Sequence, residues 1–139
     1  MLELTPQEQA IIDEYLQEHY RRTRTAVRDP LEARINRWSK FVERVEIGYP
    51  LAIYNYQGEL GGRDILEGII QIAPDHLQKK VTQELAPWDN RLFHATKEIG
   101  VSLLPPLDET KKQQWWWFRI PIVMPEHLEQ DLRHEEILD

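Results

Sequence analysis

The stretch Trp115-Trp116-Trp117-Phe118-Arg119-Ile120-Pro121-Ile122-Val123-Met124 constrains the fold of this chain more than any other. It holds three of the five tryptophans and one of the three phenylalanines. Each indole offers roughly 150–250 Å² to bury, and at about 25 cal/mol per Å² one ring contributes several kcal/mol gross. So much apolar surface has to be covered, by the rest of the chain or by something else. Read as a strand, alternation places Trp115, Trp117 and Arg119 on one face and Trp116, Phe118 and Ile120 on the other. Both faces are then aromatic. Pro121 lacks the N–H that a central strand needs, so the pattern predicts an edge strand or an extended strap.

Two outcomes follow for this ribbon. In the first it lies in a groove between helices and closes the bundle, with Trp115 or Trp117 stacked on Arg119 or donating its N–H to a carbonyl. In the second one aromatic side stays uncovered, and Trp115, Trp116, Trp117 and Arg119 become partner-binding residues, since Trp and Arg dominate binding hot spots. An edge strand can also pair with its own copy, giving a homodimer.

The rest of the chain supplies helices. Thr5-Pro6-Gln7-Glu8 is a capping-box pattern with proline where no donor is needed, and Ile11, Ile12, Tyr15, Leu16 and Tyr20 follow as a wide apolar face. Asp29-Pro30-Leu31-Glu32 repeats the start signal. Leu31, Ile35, Trp38, Phe41, Val42 and Val45 then form one stripe that Gly48-Tyr49-Pro50 ends. Residues 51–57 suit either a short strand or a helical turn. Glu59-Leu60-Gly61-Gly62-Arg63 reads as a loop, after which Asp64 caps a short helix carrying Ile65, Leu66, Ile69, Ile70 and Ile72. Pro74-Asp75 opens a fourth helix reaching about Glu98, with a kink or a break expected at Pro87. Residues 101–114 form a connector extended by Pro105 and Pro106, and residues 125–139 an acidic terminal helix or tail.

At 139 residues and 41% hydrophobic, the sequence fits one domain with one core. The expected fold is therefore mainly α: a single-domain bundle of four or five helices with a short C-terminal extended or edge-strand segment. A weak partner strand is expected at 51–57.

Charge and chemistry narrow the function classes. With no cysteine, disulfides, thiolate metal sites and cysteine nucleophiles are excluded. The first residues carry no basic, apolar leader pattern and no apolar run approaches about 20 residues, so the chain is expected to be cytoplasmic, with no membrane partner. The net charge of −7 is unevenly spread. Residues 1–20 hold five acids and no Lys or Arg, and residues 21–46 hold eight bases against four acids. The last fourteen residues hold six acids and one arginine. Arg34, Arg37, Lys40 and Arg44 line up as a ridge on the second helix, suited to local acids, an acidic partner or nucleic acid.

Catalytic signals are sparse. His127, Asp131 and His134 share one helix face at metal-ligand spacing, but an acidic amphipathic helix produces such spacing without any metal, and no metal is assigned. Asp89 and His94, near Thr96 and Glu98, are an acid–base candidate whose offset separates them around a helix. No phosphate loop, nucleophile elbow or dinucleotide fingerprint occurs. The expectation is thus a non-catalytic protein-interaction module without cofactor, one version being an acidic inhibitor of the immunity-protein or antitoxin type. A nucleic-acid-associated regulator using the basic ridge, or a small enzyme with an unrecognised site, are the alternatives.

Overall fold

Residues 2–23, 30–103 and 114–138 are described by the computed structural model of the protein. The expected cap at Asp29, the bases Arg24 and Arg28 and the proline connector from Leu104 to Leu107 lie outside the described residues. Local signals set the first two helices. Helix α1, Pro6–Thr23, starts with the reciprocal cap read from its sequence. The Thr5 N–H donates to Glu8 Oε1 at 2.8 Å and the Glu8 N–H to Thr5 Oγ1 at 3.1 Å. Helix α2, Leu31–Ile47, buries its predicted stripe. Gly48 stops it at φ +123°, a conformation that favours glycine, with its N–H on the Arg44 carbonyl at 2.9 Å.

Helix α3, Ile53–Ile72, corrects two expectations. The segment 51–57, which suited a short strand or a helical turn, is helical from Ile53 onward, and the expected loop at 59–63 is the middle of the same helix. Ile53, Tyr56, Leu60, Leu66, Ile69 and Ile70 bury one face along its whole length. That burial outweighs the helix-weakening glycines, each of which costs about 1 kcal/mol relative to alanine. The start of α3 is held from far along the chain: the Ile53 N–H donates to Asp131 Oδ2 at 3.0 Å. No local residue signals this cap.

Helix α4, Asp75–Ala95, runs unbroken through Pro87. The proline and its neighbours Ala86 and Gln83 are exposed, so the unpaired carbonyl one turn back is open to water. The helix stops at Ala95 rather than near Glu98. Thr96–Glu98 instead forms strand β1, paired antiparallel with β2, Arg119–Pro121, in the register Thr96↔Pro121, Lys97↔Ile120 and Glu98↔Arg119. The partner strand expected at 51–57 is thus found at 96–98. Helix α5, Glu126–His134, packs its buried Leu128 and Leu132 beside the start of α3.

The architecture is a mainly helical single domain. Helices α2, α3 and α4 pack on one another, and α1 and α5 lie against them. Phe41, Tyr49 and Tyr56 meet edge to face in the core, with ring centroids 5.1–5.5 Å apart. Burial pushes the Tyr49 phenol up to about 12 and the Tyr56 phenol higher still. Among the described residues no helix is long and apolar enough to cross a membrane.

Candidate functional site

The tryptophan segment is not the alternating strand its sequence suggests. Trp115–Phe118 forms one turn of 3-10 helix, and only Arg119–Pro121 is extended. A three-residue turn rotates successive side chains by about a third of a circle. The neighbours Trp116 and Trp117 are therefore both buried, at 2% and 3% exposure, while Trp115 keeps 37%. Both buried indoles point at one carboxylate. Trp116 Nε1 donates to Asp64 Oδ1 and Trp117 Nε1 to Asp64 Oδ2, each at 2.9 Å. Neither Trp115 nor Trp117 stacks on Arg119.

Arg63, next to Asp64 on α3, anchors the same region to α4. Its guanidinium forms a two-pronged pair with Asp89, Nη2 to Oδ2 at 2.7 Å and Nε to Oδ1 at 3.1 Å, and reaches Glu67 at 3.3 Å. It also lies 4.5 Å over the Trp116 ring. Asp89 Oδ1 takes a further bond, from Trp38 Nε1 at 2.9 Å. This network ties α2, α3, α4 and the ribbon together, and each buried charge in it has an opposite charge or an N–H donor.

Arg119 acts as a cap. It donates to the carbonyls of Thr96 at 2.8 Å and Phe93 at 3.1 Å and to Thr96 Oγ1 at 2.8 Å. These carbonyls stand at the end of α4, beyond the reach of the helix's own ladder, and the Phe93 carbonyl also accepts from Thr96 Oγ1 at 3.4 Å. The guanidinium also sits 4.1 Å over the Phe93 ring. Of the four ribbon residues named as partner-binding, Trp116, Trp117 and Arg119 are engaged within the chain. Trp115 forms an exposed edge-to-face pair with Phe93, centroids 5.8 Å apart.

The other constellations also have internal roles. His127 Nε2 lies 3.1 Å from the Leu51 carbonyl, and with Asp131 it clamps the start of α3. Among the described residues no three of His, Cys, Asp or Glu are grouped to hold a metal. Asp89 faces Arg63 and Trp38, whereas the exposed His94 bonds the Asn90 carbonyl of its own helix at 2.8 Å.

The basic ridge leads to an open groove of about 770 Å³ between α2 and α3. Arg37, Lys40 and Arg44 line it from α2, Leu51 from just before α3, Tyr54 from the first turn of α3, and Trp117 from the ribbon. Glu59 neutralises Arg37 through bonds of 2.9 and 3.1 Å. The side chains of Lys40 and Arg44 have no hydrogen-bond or ion-pair partner among the described residues. Arg34 is half-buried and stands outside the groove. Tyr54 is 81% exposed and Leu51 44%.

No known protein family, curated protein or solved structure matches this chain.

Chemically, the groove offers two cations unpaired among the described residues, a salt-bridged third, and two apolar anchors. That combination is suited to an anionic group carrying apolar contacts. Of the four ridge cations named from helical spacing, three line the groove and Arg34 does not. The sequence pattern missed Tyr54 and Leu51 because the segment holding them was unresolved between strand and helix, so neither could be placed on a face. It missed Asp64 because nothing local to residue 64 signals an indole partner more than 50 positions away.

Proposed function

We propose that this protein is a non-catalytic protein-interaction module that binds an acidic segment of a partner in the groove between α2 and α3. The observation that carries the reading is the pairing of Lys40 and Arg44, uncompensated among the described residues, with the bare Tyr54 ring on a chain of net charge −7. A basic site on an acidic molecule steers partners by local field rather than by overall attraction.

Magnitudes divide the work between charge and apolar contact. Each exposed ion pair contributes only about 0.2–1 kcal/mol, so Lys40 and Arg44 together choose the partner more than they hold it. Covering the Tyr54 ring removes on the order of 100 Å² of apolar surface, worth about 2–3 kcal/mol gross. Leu51 adds a smaller share. These contributions come to about 3–6 kcal/mol gross, so one such groove binds nearer the millimolar than the micromolar range, suited to a reversible contact, and the exposed Trp115–Phe93 pair offers a second, smaller point of contact. The basic groove favours an acidic partner over the basic toxin of an immunity-type inhibitor. A net charge of −7 repels the long phosphate backbone of nucleic acid more than it repels one short acidic segment, which disfavours the regulator reading.

Titration of the labelled protein with a poly-glutamate chain tests this. Amide shifts should localise to Lys40, Arg44, Leu51 and Tyr54, weaken as salt rises, and vanish in Lys40→Glu/Arg44→Glu. Tighter binding of an oligothymidylate, or shifts confined to other faces, would refute the reading.

A further inference from the structure

The groove's dimensions narrow the occupant beyond its charge, on the reading of the groove as a site for an acidic partner. Arg37, Lys40 and Arg44 follow one another at offsets of three and four residues on α2. At about 1.5 Å of rise per residue, their backbone positions step by about 4.5 and 6 Å. Carboxylates at positions i, i+3 or i+4, and i+7 of a second helix repeat those steps. An extended segment places same-face side chains about 6.6–6.8 Å apart and loses register after one pair.

The opposite wall carries a second sign. Gly58 lines the groove one turn after Tyr54, and a Cβ built on it meets nothing within 4 Å. Gly61, one turn further, is equally clear. A mid-helix glycine weakens its helix relative to alanine, and what stands opposite shows what the missing Cβ makes room for. Gly68 on the same helix has a neighbour inside the chain: a Cβ there would stand 1.8 Å from the Tyr15 hydroxyl and 2.7 Å from Tyr15 Cζ. Gly58 has no such neighbour among the described residues. Its bare backbone lets another main chain come close to α3 beside the Tyr54 ring.

We infer that the groove receives an acidic amphipathic helix, its carboxylates in step with Arg37, Lys40 and Arg44 and its backbone seated on α3 at Gly58. Helix-in-groove recognition of this kind uses apolar anchors for affinity and charge for register. Tyr54 and Leu51 supply the anchors, and the two free cations set the direction in which the acidic face lies.

The test uses the full chain and two fluorescein-labelled peptides of identical composition. One places glutamates at helical i, i+4, i+7 spacing with leucines on the flanking stripe. The other scrambles the same residues so that no acidic face forms. Anisotropy should show the helical peptide binding about tenfold or more tightly than the scrambled one. Lys40→Glu/Arg44→Glu should weaken it at least about tenfold. Gly58→Ala should weaken it several-fold while the thermal midpoint rises, a combination that damage to the fold cannot produce. Equal binding of both peptides, both lost in the charge-reversed protein, overturns the helical occupant and leaves the acidic-partner reading standing. Unchanged binding in Gly58→Ala also overturns the inference. Failure of both peptides to bind the wild-type protein overturns the acidic-partner reading as well.

Discussion

Replacing Asp64 with alanine is the sharpest perturbation available to this fold. Its two carboxylate oxygens each accept an indole N–H at 2.9 Å, from side chains that are 2% and 3% exposed. Hydrogen bonds to a charged group contribute about 1.5–3 kcal/mol each, and a buried donor left unpaired costs about 1–3 kcal/mol. The two counts overlap, so Asp64→Ala should cost about 3–5 kcal/mol, a large part of the roughly 5–15 kcal/mol that stabilises a typical domain. Asp64→Asn keeps one acceptor oxygen but turns an amide N–H₂ toward the second indole, so its cost should be about half to equal that of alanine. Guanidinium denaturation followed by tryptophan emission reads both, with an unchanged m-value showing that the difference lies in the native contacts. The decisive control is a Trp116→Phe/Trp117→Phe background. With both donors gone, removing the carboxylate should cost clearly less there than in the wild-type background, since the coupling term has been deleted. A loss below about 1 kcal/mol in the wild-type background, or an equal loss in the two backgrounds, would mean that the ribbon is held by something other than Asp64.

The glycines of α3 should part in opposite directions. Gly58→Ala gains about 0.5–1 kcal/mol of stability because its Cβ enters open space, while Gly68→Ala loses stability because the new methyl collides with Tyr15; thermal melts distinguish them, and matching shifts would refute the assignment. Glu8 should contribute an acid-sensitive tether between α1 and α4. Lys80 Nζ, 2.6 Å from Glu8 Oε1, and the Thr5 N–H hold its carboxyl below the usual range. The stabilisation is then fully present above the ordinary carboxylate value and is lost as pH falls through the lowered folded value. Denaturation midpoints of wild type and Glu8→Gln should therefore differ near neutrality and converge under acid, and a constant gap down to pH 3 would contradict the assignment.

What could be read from the chain was local and periodic. The cap at Thr5 and Glu8 lies within one turn, and the α2 stripe repeats six times before a glycine ends it, so both helices were legible. Helix α3 was not, because glycine was weighed as punctuation. Its meaning there depends on what stands opposite: Tyr15 at Gly68 and open groove at Gly58. Its N-terminal partner, Asp131, comes 78 residues later. The ribbon failed for the same reason. Alternation assumes that faces are set by the pleat, whereas here a distant carboxylate draws two consecutive indoles to one point. Of the basic ridge, the helical spacing correctly aligned Arg37, Lys40 and Arg44, but it could not show that Glu59 neutralises Arg37 alone.

These corrections move the site. An aromatic ribbon seems to demand a partner only while its indoles lack one, and α3 supplies it: Asp64 takes both N–H groups and Arg63 covers the Trp116 face. Once Trp116 and Trp117 belong to the core, the argument for binding passes to groups that the fold leaves without partners. Among the described residues Lys40 and Arg44 remain unneutralised where Arg37 and Arg63 are paired, and Tyr54 stays bare where Tyr49 and Tyr56 are buried. Trp117 links the two regions, since the same ring that bonds Asp64 also lines the groove. Loosening Asp64 should therefore weaken groove binding as well as stability, whereas reversing Lys40 and Arg44 should weaken binding alone.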